Sequence, residues 1–150
     1  MLIHQITCHR KRFASFQIAN FAFKSFETKL LKIAMSTNKE TVQKYMDSFQ
    51  ETDHEKILSC LTEDVIWEMP GLYSHKGKEE FDKEIENENF TGKPKITVFR
   101  MTEEDDIVIA EGNVIGTFKN GDILNADFCD VFEMENGLIK KLVSYLMQKK

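Results

Sequence analysis

The strongest constraint on the fold is a series of long alternating segments in the second half of the chain. They cover 95–101, 107–118, 123–134 and 138–147. Asn120-Gly121 separates the second segment from the third, and Glu135-Asn136-Gly137 separates the third from the last. An Asn-Gly pair between alternating segments strongly favours a hairpin. The pattern therefore predicts four consecutive antiparallel strands.

The part of the chain before these strands is predicted to form three helices and one more strand. Thr37 or Asn38 supplies the N-cap of helix one, whose apolar face holds Val42, Tyr45, Met46 and Phe49. A second, shorter helix follows Asp53 and closes at 61–64, and a third opens at Gly77. Between these two helices, 65–69 forms a strand that Pro70-Gly71 stops. Helices followed by antiparallel strands indicate an α+β fold with the helices on one face of the sheet.

The charge is divided unevenly along the chain. The formal net charge is −5, yet residues 1–34 have six Lys or Arg residues against a single acid, Glu27. The remaining residues, 35–150, are therefore strongly acidic and repel phosphate backbones and anionic lipid surfaces. This excludes nucleic acid and membrane as expected partners of the main domain.

Cysteine and histidine are too few and too scattered for a metal site or a disulfide framework. Cys8, Cys60 and Cys129 are an odd number and form no CxxC pair, and the four histidines have no metal-ligand spacing. No apolar run reaches the roughly 18 residues of a membrane span. The sequence therefore predicts a cytoplasmic protein without a metal.

Residues 1–34 are predicted to be a basic N-terminal extension, outside a domain that covers 35–150. Three interpretations compete. The extension is a targeting peptide, although no A-x-A cleavage site follows it. It is a basic amphipathic helix for a membrane or a partner. Or translation begins at Met35, directly before the capped first helix, which is the interpretation that the sequence favours.

Several short strings, in their order and spacing, resemble a known family. They are 61–65 leading into Trp67-Glu68-Met69-Pro70, Gly77, Asp130-Val131-Phe132 and Asn136-Gly137-Leu138-Ile139. Over about 39–147 they resemble the SnoaL-like and ketosteroid isomerase-like branch of the nuclear transport factor 2-like superfamily. The resemblance implies a cone-shaped, curled antiparallel sheet packed against three N-terminal helices around a central pocket. It also implies a homodimer through the outer face of the sheet.

Strand alternation and the resemblance together predict which side chains line the pocket. Successive strand residues point to opposite faces, so Phe128 points inward if Asp130 does. The ligand-binding residues predicted in this way, including Tyr73 at the entrance, are Trp67, Met69, Tyr73, Asn113, Phe128 and Ser144. Because the inward set is mostly apolar, a small apolar organic ligand is the expected partner.

The resemblance assigns catalytic roles to three residues. Tyr45 and Asp130 match the tyrosine and the protonated aspartic acid with which the isomerases donate hydrogen bonds to a developing enolate. Met69 stands where the isomerases have their basic aspartate, and Glu111, on the facing strand, is predicted to replace it as the proton-transfer group. Alternatively, Glu111 lies at the mouth of the cone, solvated or paired with a lysine.

Two functions therefore remain open. The first is a cofactor-independent isomerase, cyclase or dehydratase that acts next to a carbonyl. The second is a non-catalytic ligand-binding or dimeric interaction module of the same fold, which the methionine at position 69 favours. Because members of one fold divide between such roles, only the pocket residues can decide.

Overall fold

The structure is a computed structural model, and it describes residues 37–149. The predicted basic extension, 1–34, lies outside the described residues, so its boundary and its three interpretations stay predictions. No helix in the described part of the chain is both long enough and apolar enough to cross a membrane.

The described residues form the three predicted helices. Helix α1 is described over 37–51, α2 covers His54–Ser59 and α3 covers Lys78–Ile85. The Asp53 side chain caps α2 by accepting a hydrogen bond from the backbone N–H of Lys56 at 3.1 Å. Gly77 precedes α3 with φ +85°, a conformation that glycine adopts without strain.

Six strands form one curled, open sheet. They are β1 (Leu61–Met69), β2 (Tyr73–Lys76), β3 (Phe90–Glu104), β4 (Ile107–Phe118), β5 (Ile123–Glu135) and β6 (Leu138–Gln148). Their order in the sheet is β2-β1-β6-β5-β4-β3, and β1 pairs with β6 in parallel whereas the other pairs are antiparallel. The α+β cone is confirmed, but the sheet is mixed rather than purely antiparallel.

Two local predictions are wrong. Residues 73–76, where the sequence predicts no strand, form the edge strand β2, which pairs with β1 through Met69 opposite Tyr73. Residues 61–64, predicted to close the second helix, already belong to β1, because α2 ends at Ser59. Strand β3 is also longer than predicted, and its pairing with β4 contains two register shifts, between Thr91 and Lys95 and between Val98 and Arg100.

The core lies between the inner face of the sheet and the helices. Val42, Tyr45 and Met46 of α1 are buried, as are Phe81 and Ile85 of α3. Aromatic contacts join these helices to the sheet. Trp67 stacks on Phe81 with ring centroids 4.6 Å apart, and Tyr45 meets Phe132 edge to face at 5.7 Å. The helices and the sheet therefore share one apolar layer, which also frames the cavity described next.

Candidate functional site

A cavity of about 970 Å³ opens between the helices and the inner face of the sheet. Its size is at the upper end of the range typical of small-molecule sites. Of the nine predicted site residues, the structure places seven on its wall. These are Tyr45, Trp67, Met69, Tyr73, Phe128, Asp130 and Ser144. The wall presents more apolar than polar surface to the cavity.

Asp130 is the carboxyl group on the sheet side of the cavity. It lies opposite Ser144 in the β5–β6 pairing and is hydrogen-bonded to the Ser144 hydroxyl. Ser144 Oγ in turn accepts a hydrogen bond from Trp67 Nε1 at 3.2 Å. The Asp130 Oδ1 atom is buried and has no hydrogen-bond partner within the described residues. The Ser144 hydroxyl thus stabilises the carboxylate form, while Oδ1 keeps its hydrogen-bonding capacity.

Burial raises the pKa of Asp130 to about 7, against an ordinary value of 3.8, and the hydrogen bond with Ser144 lowers it only in part. Near neutral pH both the carboxylic acid and the carboxylate are therefore populated. A group in this state can release a proton and take it back without a large free-energy cost in either direction.

Tyr45 presents a hydroxyl group from α1. Its pKa lies well above its ordinary range, first because the side chain is buried and second because Asp130 is close. The phenol therefore stays protonated and is a hydrogen-bond donor. Edge-to-face contacts with Phe81, at 6.2 Å, and Phe132, at 5.7 Å, fix the orientation of the ring.

The prediction that Glu111 lies in the cavity is wrong. Glu111 faces Cys129 across the β4–β5 pairing and points to the outer face of the sheet. There it accepts two hydrogen bonds from Arg100, from Nε at 2.6 Å and from Nη2 at 3.0 Å. The Arg100 guanidinium lowers the pKa of Glu111 below its usual value. Glu111 is a surface ion-pair partner and offers no base to the cavity.

Asn113 is also misplaced by the sequence prediction. Its Nδ2 atom donates to Asn125 Oδ1 at 2.9 Å, to the Ala126 carbonyl at 3.0 Å and to Asp127 Oδ1 at 3.1 Å. Because Asn113 faces Asp127 in the strand pairing, it shares the outer face with Glu111. Its amide stabilises the β4–β5 pair and is remote from the cavity.

Both errors have one physical cause, the turn between β4 and β5. If Asn120-Gly121 formed a two-residue hairpin loop, Glu111 would lie opposite Asp130. Instead the Phe118 N–H donates to the Asp122 carbonyl at 2.8 Å, which leaves a three-residue loop with Gly121 at φ +92°. The pairing moves by one residue, Ala110 faces Asp130, and β4 turns its other face to the cavity.

Among the polar residues on the cavity wall that the sequence analysis missed is Glu84 of α3, whose side chain is largely buried. A signal was present, because Glu84 follows the buried Phe81 by three residues and precedes the buried Ile85 by one. Residues three apart share a helix face and adjacent residues are about 100° apart, so Glu84 borders the apolar side of the helix. Within the described residues, no three His, Cys, Asp or Glu side chains cluster as metal ligands.

Solved structures with this arrangement were found at low sequence identity. A candidate ketosteroid isomerase from Kribbella flavida DSM 17836 is 17% identical with a TM-score of 0.66, matching 77% of this chain and 82% of its own. A candidate polyketide cyclase from Xanthomonas campestris pv. campestris is 21% identical with a TM-score of 0.68, matching 74% of this chain and 90% of its own. TerC, co-crystallised with polyporic acid, is 22% identical with a TM-score of 0.67. The match covers 74% of this chain and 92% of TerC. These similarities show the shared fold.

No curated protein sequence matches the chain. A family model that describes a SnoaL-like domain matches residues 42–142, which is well over half of the chain. The match covers α2, α3 and five complete strands, together with most of α1 and the start of β6. The chain therefore belongs to the SnoaL-like domain family, within the nuclear transport factor 2-like superfamily.

Proposed function

We propose that the cavity binds a small, mostly apolar organic molecule through one of its oxygen atoms, and that Asp130 moves a proton next to that oxygen. The reaction class is a cofactor-independent isomerisation, cyclisation or dehydration beside a carbonyl group. The observation that carries this proposal is the Asp130 carboxyl, which lines the cavity, has one oxygen without a partner among residues 37–149 and has a pKa raised to about 7.

The proposed chemistry needs two groups. The Tyr45 hydroxyl donates a hydrogen bond to the carbonyl oxygen of the substrate, which stabilises the negative charge that develops on that oxygen. The Asp130 carboxylate removes a proton from the neighbouring carbon, and the resulting carboxylic acid returns the proton to another position of the enolate. Ser144, hydrogen-bonded to Asp130 and to Trp67, keeps the carboxyl in one orientation. Asp130 takes the role that the sequence had assigned to Glu111.

The second candidate function is a ligand-binding module without catalysis. It is favoured by the absence of a carboxylate from position 69, where Met69 lines the cavity, and by the position of Glu111 on the outer face. Asp130 and Tyr45 would then bind the ligand oxygen without transferring protons. The two functions predict the same ligand and differ only in proton exchange.

We expect 2-naphthol, which mimics an enolate, to bind the wild-type protein, as measured by calorimetric titration. Tyr45→Phe removes a hydrogen bond to the naphthol oxygen, and Asp130→Leu removes the carboxylate that accepts one from the naphthol hydroxyl, so each should weaken binding by about 1 to 3 kcal/mol. Glu111→Gln is the matched control, since it changes a carboxylate on the outer face and should bind like the parent. Equal affinities for all four proteins would refute the proposed site.

We expect the wild-type protein to exchange deuterium from D2O into the carbon positions beside the carbonyl of 2-tetralone, followed by NMR. Asp130→Asn should abolish this exchange, because the amide cannot accept and return the proton. If the wild-type protein binds 2-naphthol but exchanges no deuterium, the binding module is the correct function.

We also propose that two copies of the chain associate through the outer face of the sheet. On this face Val131 lies opposite Val143 and Cys129 lies opposite Tyr145. Tyr145 is 50% exposed and Ile109, opposite Val131, is 37% exposed, so the face presents apolar surface to solvent. A twofold interface would use this patch twice.

Val143→Glu should convert the dimer into a monomer, because two buried charges would face each other near the symmetry axis. Light scattering at micromolar concentration measures the change. Val143→Thr keeps the size without the charge and should stay dimeric. A monomeric wild-type protein, or a dimeric Val143→Glu variant, would contradict the proposal.

A further inference from the structure

A second group of polar side chains borders the cavity on the side of α3 and β2. Its centre is Glu84, which lines the cavity and has a side chain only 23% exposed. Glu84 Oε2 accepts a hydrogen bond from Asn87 Nδ2 at 3.0 Å. Glu84 Oε1 lies 3.3 Å from His75 Nε2. Neighbouring residues therefore hold the carboxylate in one orientation, yet these contacts leave most of its acceptor positions unused.

Two aromatic rings lie beside Glu84, that of Tyr73, which lines the cavity, and that of His75, which does not. The two rings stack with centroids 4.5 Å apart, and the Tyr73 ring also meets Trp67 edge to face at 5.5 Å. His75 Nε2 is buried and has no hydrogen-bond partner within the described residues, because its approach to Glu84 is poorly aligned. The group thus presents to the cavity a carboxylate that is held in place, and a hydrogen-bond donor on a ligand could fill its free acceptor positions.

This polar group is separated from Asp130 across the width of the sheet. Tyr73 is on β2 and Asp130 is on β5, and β1 and β6 lie between these strands. At the usual strand spacing their backbones are about 14 Å apart, a distance that the curl of the sheet and the inward side chains shorten. The pKa of Tyr73 is raised, first by burial, then by Glu84 and then by Asp130. The Tyr73 hydroxyl therefore stays protonated between the two carboxyl groups.

We propose that Glu84 is a second polar anchor of the cavity and selects ligands that carry a hydrogen-bond-donating hydroxyl or amino group at the end opposite the oxygen bound at Asp130. This inference rests on the proposed function, because it takes the first anchor from it. A ligand with a donor at that end satisfies Glu84. A ligand without one displaces water from Glu84 and leaves the carboxylate unpaired, which is a strong basis for rejection.

The test compares aromatic diols with their monomethyl ethers, which keep the second oxygen but lose its donor hydrogen. Resorcinol, 2,7-dihydroxynaphthalene and 4,4′-biphenol provide three separations between the oxygens. For the diol of matching length, we expect the wild-type protein to bind the diol about tenfold more tightly than its ether. The ratio should fall in Glu84→Gln and approach one in Glu84→Met, which has no carboxylate.

Glu80→Gln is the matched control. Glu80 is on the same helix and its Oε2 lies 3.8 Å from His75 Nδ1, but its side chain is 55% exposed and it does not line the cavity. This variant should keep the wild-type ratio. 2-Naphthol has no second oxygen to displace water from Glu84, so it should still bind both Glu84 variants, which checks that they are folded and that the Asp130 anchor is intact.

The outcomes separate this inference from the proposed function. If no diol is preferred over its ether by the wild-type protein, or if the preference survives in Glu84→Met, the second anchor is refuted. If a diol binds in a Glu84-dependent manner but Asp130→Leu has no effect on it, the second anchor stands and the proposed role of Asp130 fails. If no ligand of the series binds the wild-type protein, both are refuted.

Discussion

Asp130→Asn is expected to make the protein more stable above neutral pH, by up to about 4 kcal/mol. Burial raises the pKa of Asp130 from 3.8 to about 7 in the folded protein. Between these two values the unfolded chain has released the proton and the folded protein still holds it. The folded state binds more protons, so stability falls as the pH rises through this window, and the full loss is present above about pH 7. An uncharged asparagine does not suffer this loss.

Urea unfolding at about pH 4 and about pH 8, at one protein concentration, measures the effect. Relative to wild type, the unfolding free energy of Asp130→Asn should be higher at about pH 8 than at about pH 4 by several kcal/mol. Glu111→Gln should shift in the opposite direction, because Arg100 lowers the pKa of that carboxyl and the ion pair is lost in the variant. An Asp130→Asn difference that does not depend on pH would mean that this carboxyl does not carry a raised pKa.

Gly112→Ala is expected to destabilise the protein by roughly 3 kcal/mol or more. A Cβ atom at position 112 would lie 2.3 Å from the backbone carbonyl oxygen of Thr97 and 2.4 Å from the Phe128 ring. Because Thr97 is on the paired strand β3, its carbonyl cannot move without disturbing the sheet. The Phe128 ring, which lines the cavity, would be pushed out of its position.

Gly116→Ala is the natural comparison, because Gly116 lies four residues further along β4 and on the same face. There the nearest contact of a Cβ would be an edge atom of the Phe90 side chain at 3.2 Å, which a small ring movement relieves. Thermal and urea unfolding should show a loss for Gly116→Ala well below that for Gly112→Ala. Equal losses of stability would show that the closer contacts expected of a Cβ atom at position 112 do not destabilise the protein.

The elements that local sequence determines were predictable. Alternation and turn residues located β4, β5 and β6 and apolar periodicity located the helices, because these signals depend on residues close together in the chain. The parallel pairing of β1 with β6 was not predictable, since a local pattern does not name the partner of a strand. The short edge strand β2 was missed for a related reason. Its four residues show no alternation of apolar and polar side chains, and they form a strand only because they pair with β1.

The sequence predicts which residues of one strand share a face, but it does not predict how neighbouring strands are aligned. Phe128 and Asp130 line the cavity together because their spacing of two residues places them on one face. Glu111 was misplaced because its position depended on the length of the loop at 119–121, where a one-residue difference exchanges the two faces of β4. Glu84 was overlooked because it lies at the border of an apolar helix face, where periodicity alone does not separate the cavity wall from the solvent.

The position of β6 has a consequence for how the domain folds. This strand is the last in the sequence but lies inside the sheet, between β1 and β5. Until β6 is in place, the sheet consists of two unconnected parts, one formed by β1 and β2 and the other by β3, β4 and β5. Ser144, which is on β6, cannot yet link Trp67 to Asp130. Contacts between residues so far apart in sequence carry a high loop-closure cost and are slow to form. During synthesis, completion of the sheet must therefore wait until β6 has left the ribosome, and the cavity with its polar groups is among the last features to form.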